Sequence, residues 1–309
     1  MKRTIIGLAT TFVAVLSLTA CGGNSNPVSS GSSGVPTGAS AAGTITIGSA
    51  NFSEDTLLAQ IYAGALKAKG VQVDLKLNIG NREIYFPALR SGTLDLIPEY
   101  SGNTLQYLDA KATAVSADDV YTALQQALPS NLEALDKAGA EDKDAVVVTK
   151  ALADQYHLTS IADLAPHCAQ LTLGGPPEWQ TRPDGLPGLK KNYNCVFANY
   201  RSLDAGGPLT IAALKSGAVQ AADIFTTDPS IPDNNWVVLT DPKNNFIAQN
   251  VVPIINKSKV NSTVSAALNA VQAKLDTKTL ASLDAQLNAP DKPDPADVAA
   301  SWLKSVGLA

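Results

Sequence analysis

Apolar and polar residues alternate in a way that predicts strands and helices in turn from residue 44 onward. Apolar side chains recur every second residue in short runs and every third or fourth residue in longer ones. The predicted elements are strands at Thr44–Ile47, Val71–Leu77 and Leu94–Ile97, and helices that begin at Ser53, as N-cap, and near Glu83. This order is typical of a mostly parallel sheet with helices on its faces.

A second series of strands follows from residue 145. Predicted strands lie at Ala145–Val148, Leu171–Leu173, Val196–Phe197 and Ala221–Ile224. Because about 265 residues exceed the usual size of one domain, two lobes with separate cores are expected. We predict that lobe 1 comprises residues 44–144 and 248–309, and that lobe 2 comprises residues 145–247. Helices within residues 260–303 are expected to pack on lobe 1.

Two segments of the chain resemble each other. Ala88–Tyr100 and Ala213–Phe225 both show a helix end, a glycine, a strand and a final aromatic residue. Because ligands of open α/β sheets bind beyond the carboxyl ends of strands, Tyr100 and Phe225 are expected to line one cleft. The polar segments Ser101–Asn103 and Thr226–Asp228, both expected to start helices, follow them. The alternative is that the likeness reflects common local structure only.

The first 43 residues predict export and anchoring. A basic start and an apolar stretch from Thr4 to Leu18 are typical of a signal peptide over residues 1–20. Small residues lead to Cys21, the expected lipidation site, although a secreted protein with an incidental cysteine is the alternative. A Ser/Gly-rich stretch over residues 21–43 predicts a flexible tether. We therefore expect a protein anchored by lipid at the outer face of the cell membrane.

The remaining composition excludes several classes of function. A net charge of -5 without a basic cluster argues against nucleic acid as partner. The sequence has no nucleophile elbow, metalloprotease or phosphate-loop motif, so neither an enzyme nor a cofactor is expected. His157 and His167 lack the neighbours of a metal site. Outside the cytoplasm, Cys168 and Cys195 are expected to form a disulfide, and two separate buried thiols are the alternative.

One loop carries a candidate anion ligand. Arg182 lies between a predicted strand and a predicted helix, where a guanidinium could clamp a carboxylate through two hydrogen bonds. The alternative is a solvated charge or a pair with Asp184. Trp179, in the same loop, is either a wall of the cleft or a residue packed between the lobes.

The chain resembles the substrate-binding proteins of ABC importers for glycine betaine, carnitine and choline. The resemblance rests on Ile47–Glu54, Ala88–Asn103, Gly174–Gly188, Phe225–Asp228 and Ser301–Leu308. It implies a two-lobed type II periplasmic-binding-protein fold that closes about a hinge, expected near Asp144–Ala145 and Phe246–Ala248. It also implies a monomer that binds a small osmolyte and delivers it to a permease with its ATPase; a ligand sensor is the rival.

The same resemblance implies roles for individual residues. Tyr100 and Phe225 match cage aromatics that hold a quaternary ammonium, Asn103 matches a polar contact, and Arg182 matches the carboxylate ligand. Three further positions depart from the family pattern and are still expected in the ligand site: Asp142, Asp144 and Gln249. With two rings in place of a full cage, a cation such as choline, or a larger hydroxylated ligand, is the alternative to betaine.

Overall fold

The structure is a computed structural model that describes residues Gly43–Ala309. The predicted signal peptide, Cys21 and nearly all of the predicted tether lie outside these residues. Within the described range, no helix has both the length and the apolar character needed to cross a membrane.

Ten strands form in the described part of the chain. They are β1 (Ile45–Gly48), β2 (Val73–Lys76), β3 (Leu96–Tyr100), β4 (Leu132–Ala134), β5 (Val146–Val148), β6 (Thr172–Gly175), β7 (Asn199–Ser202), β8 (Ala221–Asp223), β9 (Val237–Val238) and β10 (Val251–Asn256). They make two sheets of five strands, in the orders β2-β1-β3-β10-β4 and β7-β6-β8-β5-β9. The first sheet takes its strands from both ends of the described chain, and the second takes its strands from the middle.

Both sheets are mixed rather than mostly parallel, which corrects the prediction. In each sheet two pairs are parallel, β1 with β2 and β3, and β6 with β7 and β8. The other two pairs are antiparallel and share one strand, β10 in the first sheet and β5 in the second. β5 and β10 are the strands that the chain forms directly after it passes from one sheet to the other. Their direction therefore depends on that passage rather than on a helical crossover.

The helices lie between these strands and at the end of the chain. They are α1 (Ser53–Lys67), α2 (Arg82–Ser91), α3 (Ser101–Leu108), α4 (Ala117–Ala127), α5 (Lys150–Tyr156), α6 (Ile161–Leu164), α7 (Leu186–Tyr193), α8 (Pro208–Lys215), α9 (Ser230–Asp233), α10 (Ser262–Gln272), α11 (Thr277–Leu287) and α12 (Pro295–Ser305). Short 3-10 helices span Ala165–Gln170, Pro177–Gln180 and Lys257–Lys259.

The C-terminal helices pack on the first sheet, as predicted. Trp302 and Leu303 of α12 are buried in one apolar cluster with Ile61 and Leu66 of α1 and Ile45 of β1. The approach is close, because a Cβ on Gly64 of α1 would lie 2.4 Å from the Leu303 side chain. Burial of this apolar face, rather than helix propensity, holds the three last helices on the first lobe.

Three local predictions were wrong. Ser53 is the first residue of α1 rather than its N-cap; the N-cap residue is Phe52, which makes no side-chain capping hydrogen bond. The strand expected at Val196–Phe197 lies instead at Asn199–Ser202. Thr226–Asp228 forms a turn rather than a helix start, because its N–H groups are directed to residues 142, 143 and 225.

Two segments join the lobes side by side. Glu141 and Asn250 form an isolated antiparallel bridge, and the Asp142 N–H donates to the Gln249 carbonyl at 3.2 Å. These two crossings lie next to the hinge positions predicted near residues 144–145 and 246–248. Motion about them stays a prediction, as do the residue boundaries of the lobes.

Candidate functional site

The two segments that resemble each other in sequence hold equivalent places in the fold. β3 and β8 each follow a helix and a left-handed glycine, Gly92 (φ 80°) or Gly217 (φ 75°), and each is the central strand of its sheet. Tyr100 ends β3, and Phe225 lies two residues beyond β8. The likeness therefore extends from the sequence to the positions of the two segments in the fold, and both aromatic residues line the same cavity.

A small cavity of about 40 Å³ lies between the lobes, and four aromatic rings line it. The rings belong to Phe52, Tyr85, Tyr100 and Phe225; we call this space the aromatic cavity. The Phe52 ring centroid lies 6.0 Å from that of Tyr100 and 5.2 Å from that of Phe225. The interpretation that only two rings remain was wrong, because Phe52 and Tyr85 supply two more.

Six of the seven predicted ligand residues line this cavity: Tyr100, Asn103, Asp142, Asp144, Arg182 and Phe225. Gln249 does not line it. Its side chain instead accepts the Asn103 N–H at 2.9 Å and donates to the Asn103 side-chain oxygen. Gln249 therefore positions Asn103, whose amide nitrogen donates to Asp144 at 2.7 Å.

Tyr100 is tied to the start of α1. Its hydroxyl donates to one oxygen of Glu54, and the Thr227 hydroxyl donates to the other oxygen at 2.9 Å. Burial raises the pKa of Glu54 well above its usual range, and the charge of Asp284 adds to this, while these two hydrogen bonds oppose it. Glu54 is therefore a buried carboxyl group that is hydrogen-bonded both to Tyr100, which lines the aromatic cavity, and to Thr227 of the second lobe.

Arg182 is paired with carboxylates of the protein itself, and the role expected for it as ligand of a substrate carboxylate stays a prediction. Its guanidinium donates two hydrogen bonds to Glu83 of α2, at 3.1 and 3.0 Å, and lies 3.8 Å from Glu178. Its partner is thus Glu83 on the other lobe, rather than Asp184. Burial opposes ionisation of Glu83, but the hydrogen bonds and charge of Arg182 outweigh it and lower the Glu83 pKa.

A second arginine lines the cavity and is also neutralised. Arg82, which is buried, donates to both oxygens of Glu99 at 3.1, 3.2 and 2.7 Å, and the Tyr85 hydroxyl donates to the same carboxylate at 2.9 Å. Both cationic side chains that line the aromatic cavity therefore have carboxylate partners. Among the described residues that line this cavity, the ionisable side chains without an oppositely charged partner are the carboxyl groups of Asp142 and Asp144.

The acidic side chains lie mainly on the second lobe and the crossings. Burial raises the pKa of Asp142 well above its usual range, with the charges of Glu54 and Asp144 adding to it. Burial and the charge of Asp144 raise the pKa of Asp184 to about 7, and the same two causes raise that of Asp223. Of these three groups Asp142 lines the aromatic cavity, and a cation bound beside it would lower its raised pKa and favour the charged carboxylate.

Side-chain packing within the second lobe holds the loop that carries Arg182. Trp179 is fully buried and stacks on Phe246 at 5.9 Å between ring centroids, so it belongs to the core of the second lobe rather than to the cleft wall. A disulfide joins Cys168 to Cys195, with 5.4 Å between their Cα atoms. The stacked rings and the disulfide together stabilise the part of the second lobe from which Arg182 contacts Glu83.

Sequence reasoning missed several lining residues, notably Phe52, Arg82, Tyr85 and Glu178. Phe52 lies inside a segment that resembles the family, and its position directly before a helix could have indicated that its ring lines the cavity. Arg82 and Tyr85 lie one turn apart on α2 and share Glu99, through contacts across 17 and 14 residues that no local pattern reveals. Among residues 43–309, no group of three or more acidic, histidine or cysteine side chains is arranged to hold a metal ion.

Comparisons with known proteins show which proteins this chain is similar to. Glycine betaine-binding protein YehZ of Escherichia coli (strain K12) is 28% identical over 281 residues, which cover 86% of this chain and 92% of that protein. The ergothioneine transport permease/ergothioneine binding protein EgtU of Helicobacter pylori (strain G27) is 26% identical and is covered over 46% of its length, against 83% of this chain.

A solved structure and a family model also match this chain. A crystal structure titled glycine betaine/carnitine/choline ABC transporter has a TM-score of 0.68 at 25% identity, over 85% of this chain and 99% of that one. The family described as the substrate binding domain of ABC-type glycine betaine transport systems matches residues 43–305. The chain therefore belongs to the substrate-binding domains of ABC-type glycine betaine transport systems.

Proposed function

We propose that this protein captures a quaternary-ammonium osmolyte in the aromatic cavity and delivers it to the permease of an ABC importer. The observation that supports this ligand class is the set of four rings, Phe52, Tyr85, Tyr100 and Phe225, with acidic side chains beside them. A cation over an aromatic face gains about 0.5–2 kcal/mol per favourable ring. No bond is made or broken, so the protein is not an enzyme and uses no cofactor.

The proposed location follows from the N-terminal residues. Signal-peptide cleavage would leave Cys21 as a lipidated first residue, and the tether would let a monomeric binding body reach its permease. We expect Cys21→Ala to move the protein from the membrane fraction to the medium or periplasm. Equal membrane recovery of the variant and the wild type would contradict lipid anchoring.

Within the osmolyte class, the charge arrangement favours a cation without a carboxylate. Arg82 and Arg182 are each paired with a glutamate, so the charge of each is already balanced before a ligand carboxylate arrives. Asp142 and Asp144 line the cavity without a cationic partner of their own. We therefore expect choline to bind more tightly than glycine betaine.

Calorimetry on the full chain tests this proposal directly. The ligands are choline, glycine betaine, carnitine, proline betaine and ergothioneine, the last included because of the Helicobacter pylori relative. Choline is expected to give the largest affinity. Absence of saturable binding by every one of them would sink the assignment to quaternary-ammonium ligands.

Two substitutions at Tyr100 separate the ring from its hydroxyl. Tyr100→Ala removes the ring and is expected to weaken choline binding about 2- to 30-fold, the equivalent of one cation–π contact. Tyr100→Phe keeps the ring, loses only the hydrogen bond to Glu54 and should bind within a few-fold of the wild type. Tyr156→Ala, which removes a ring stacked on His167 elsewhere, is the matched control. Equal binding by Tyr100→Ala and the control would place the site elsewhere.

Glu83→Gln tests the part that Arg182 plays in selectivity. The amide cannot form the ion pair, so the guanidinium becomes available to a ligand carboxylate. We expect the ratio of glycine betaine to choline affinity to rise. An unchanged ratio would show that Arg182 does not face the ligand.

A further inference from the structure

The end of the first lobe that lies opposite the cleft gathers basic side chains from separate parts of the sequence. α1 begins beside the aromatic cavity at Phe52 and runs away from it to Lys67, and Lys69 follows the helix. α2 likewise begins at the cavity and carries Arg90 in its last turn. We call this surface the basic end, and it comprises Lys67, Lys69, Arg90, Lys257, Lys259 and Lys304.

Backbone and side-chain contacts hold these residues at one end of the sheet. The Lys257 N–H donates to the Asn131 carbonyl at 2.9 Å, and the Asn131 side chain donates to the Arg90 carbonyl at 3.1 Å. The last turn of α12, which carries Lys304, packs on the last turns of α1. The fold thus brings together cations that are far apart in sequence.

The basic end carries positive charge that is largely unpaired. Lys259 is the only one of the six with a carboxylate partner among the described residues, and this partner, Asp95, lies 3.5 Å away and is buried. Two further acidic residues, Asp74 and Glu133, are the second residues of the edge strands β2 and β4. An excess of positive charge therefore lies at this end, although the whole chain has a net charge of -5. The other five cations are exposed to solvent: Lys67, Lys69, Arg90, Lys257 and Lys304.

The chain enters the first lobe at this same end. Gly43 is the first described residue, and the Lys259 ammonium donates to the carbonyl of Thr44 at 2.8 Å. The tether predicted over residues 21–43 precedes these residues, and a flexible chain of that length spans roughly 25 Å on average. A lipid at Cys21 would therefore keep the basic end close to the bilayer.

A bilayer that contains anionic lipids attracts a surface of this kind. Each Lys or Arg close to the headgroups strengthens binding about fivefold, and the attraction falls off within a Debye length of about 8–10 Å. α1 has 15 residues and is therefore about 22 Å long. The acidic groups at its start, Glu54 and Asp55, lie too far from the basic end to cancel the attraction.

We propose that the basic end docks on the anionic headgroups of the membrane to which the protein is anchored. The orientation rests on the proposed lipid anchor at Cys21, whereas the recognition of anionic lipid rests on the six cations. Because the aromatic cavity lies at the opposite end of the lobe, the docked protein holds its cleft toward the medium while it collects ligand. It must leave the headgroups before the cleft can face a permease in the same bilayer.

Sedimentation with vesicles tests the docking surface without the anchor. The protein is the mature chain with Cys21→Ala, which carries no lipid, and the vesicles contain phosphatidylglycerol with phosphatidylcholine, or phosphatidylcholine alone. At about 0.1 M salt, binding to the anionic vesicles is expected, and it should weaken as the salt concentration rises. Lys67→Gln combined with Lys69→Gln and Arg90→Gln should weaken this binding about 100-fold, at about fivefold per cation.

A triple variant of the second lobe is the matched control. Lys190→Gln, Lys191→Gln and Lys215→Gln remove the same charge from the ends of α7 and α8. Lys215 also holds the position equivalent to Arg90 in the two segments that resemble each other. The control should bind the anionic vesicles as the parent protein does, and thermal unfolding shows whether each variant is folded.

Three results would overturn the docking surface. The first is an equal loss of binding in the two triple variants, and the second is equal binding to the two kinds of vesicle. The third is tighter binding to a single-stranded oligonucleotide than to the anionic vesicles, which would assign the basic end to nucleic acid. Fractionation of Cys21→Ala in cells judges the anchor separately. If this variant leaves the membrane in cells but its purified form does not bind anionic vesicles, the anchor stands and the docking surface is rejected.

Discussion

Asp284 is a buried carboxyl group whose pKa lies near neutrality. Burial is the main cause of a pKa raised to about 7, and the charges of Asp142 and Asp228 act in the same direction. Because the folded state holds this proton more tightly than the unfolded state, its contribution to stability is present at low pH. It is lost as the pH rises toward and through 7.

We predict that the thermal unfolding temperature of the protein falls between pH 5 and pH 8, and that Asp284→Asn reduces this fall. Each pKa unit corresponds to about 1.4 kcal/mol, so one group with this shift can change the free energy of unfolding by a few kcal/mol. Calorimetric melting at several pH values measures it. Asp118→Asn should keep the wild-type pH profile, and a profile unchanged by Asp284→Asn would contradict the raised pKa.

At the residue scale, sequence reasoning located side chains better than it assigned their partners. Tyr100, Asn103 and Phe225 were placed at one cleft because they follow strand ends, and the structure brings them together. The partner of Arg182 was not predictable, since Glu83 lies 99 residues earlier and on the other lobe. Pairings of this kind depend on how the lobes meet, which a local pattern does not contain.

Gly185, at the start of α7, determines how tightly the loop that carries Arg182 can fold. A Cβ at this position would lie 1.9 Å from the backbone oxygen of Trp179, a contact that no side-chain rotation relieves. We predict that Gly185→Ala lowers the free energy of unfolding by about 1–3 kcal/mol, the usual cost of overpacking, and weakens choline binding. Gly139→Ala is the control, because its nearest neighbour would be 3.8 Å away. Equal stability of the two variants in chemical denaturation would contradict this account.

The disulfide supports the same lobe. Cys168 lies within the 3-10 helix Ala165–Gln170 and Cys195 follows α7, at a sequence separation of 27. For a closed loop of this length, we predict that Cys168→Ala with Cys195→Ala lowers the free energy of unfolding by about 3–4 kcal/mol. Reductant should destabilise the wild type by a similar amount and leave the double variant unchanged. A wild-type denaturation midpoint that does not respond to reductant would show that the bond adds no stability.

At the scale of elements, the alternation of apolar residues found most strands but not their directions. β3 and β8 were predicted within a few residues from their apolar runs and preceding glycines. The short strand β7 lies at residues 199–202 rather than at the predicted residues 196–197. The apolar pair misled the prediction because Phe197 packs in the core without belonging to a strand. The antiparallel direction of β5 and β10 follows from the two crossings between lobes, which no single segment encodes.

At the scale of the whole molecule, length and strand order were enough to predict two lobes, since about 265 residues in two α/β series exceed the usual size of one core. The contacts across the cleft were not predictable. Arg182 with Glu83 and Thr227 with Glu54 both join the lobes through side chains. Each pair is far apart in sequence, and each depends on the relative position of the lobes.

These contacts predict that the degree of lobe closure can be shifted without touching the ligand rings. Glu83→Gln removes the interlobe ion pair, so open forms should gain population when no ligand is present. Small-angle scattering is expected to show a larger radius of gyration for this variant than for the wild type, and saturating choline should bring both to the same value. Lys150→Gln, which removes an exposed ion pair within one helix, is the control. If the ligand-free Glu83→Gln and wild-type radii agree, the ion pair does not hold the lobes together, because a contact that favours one state must change the populations when it is lost.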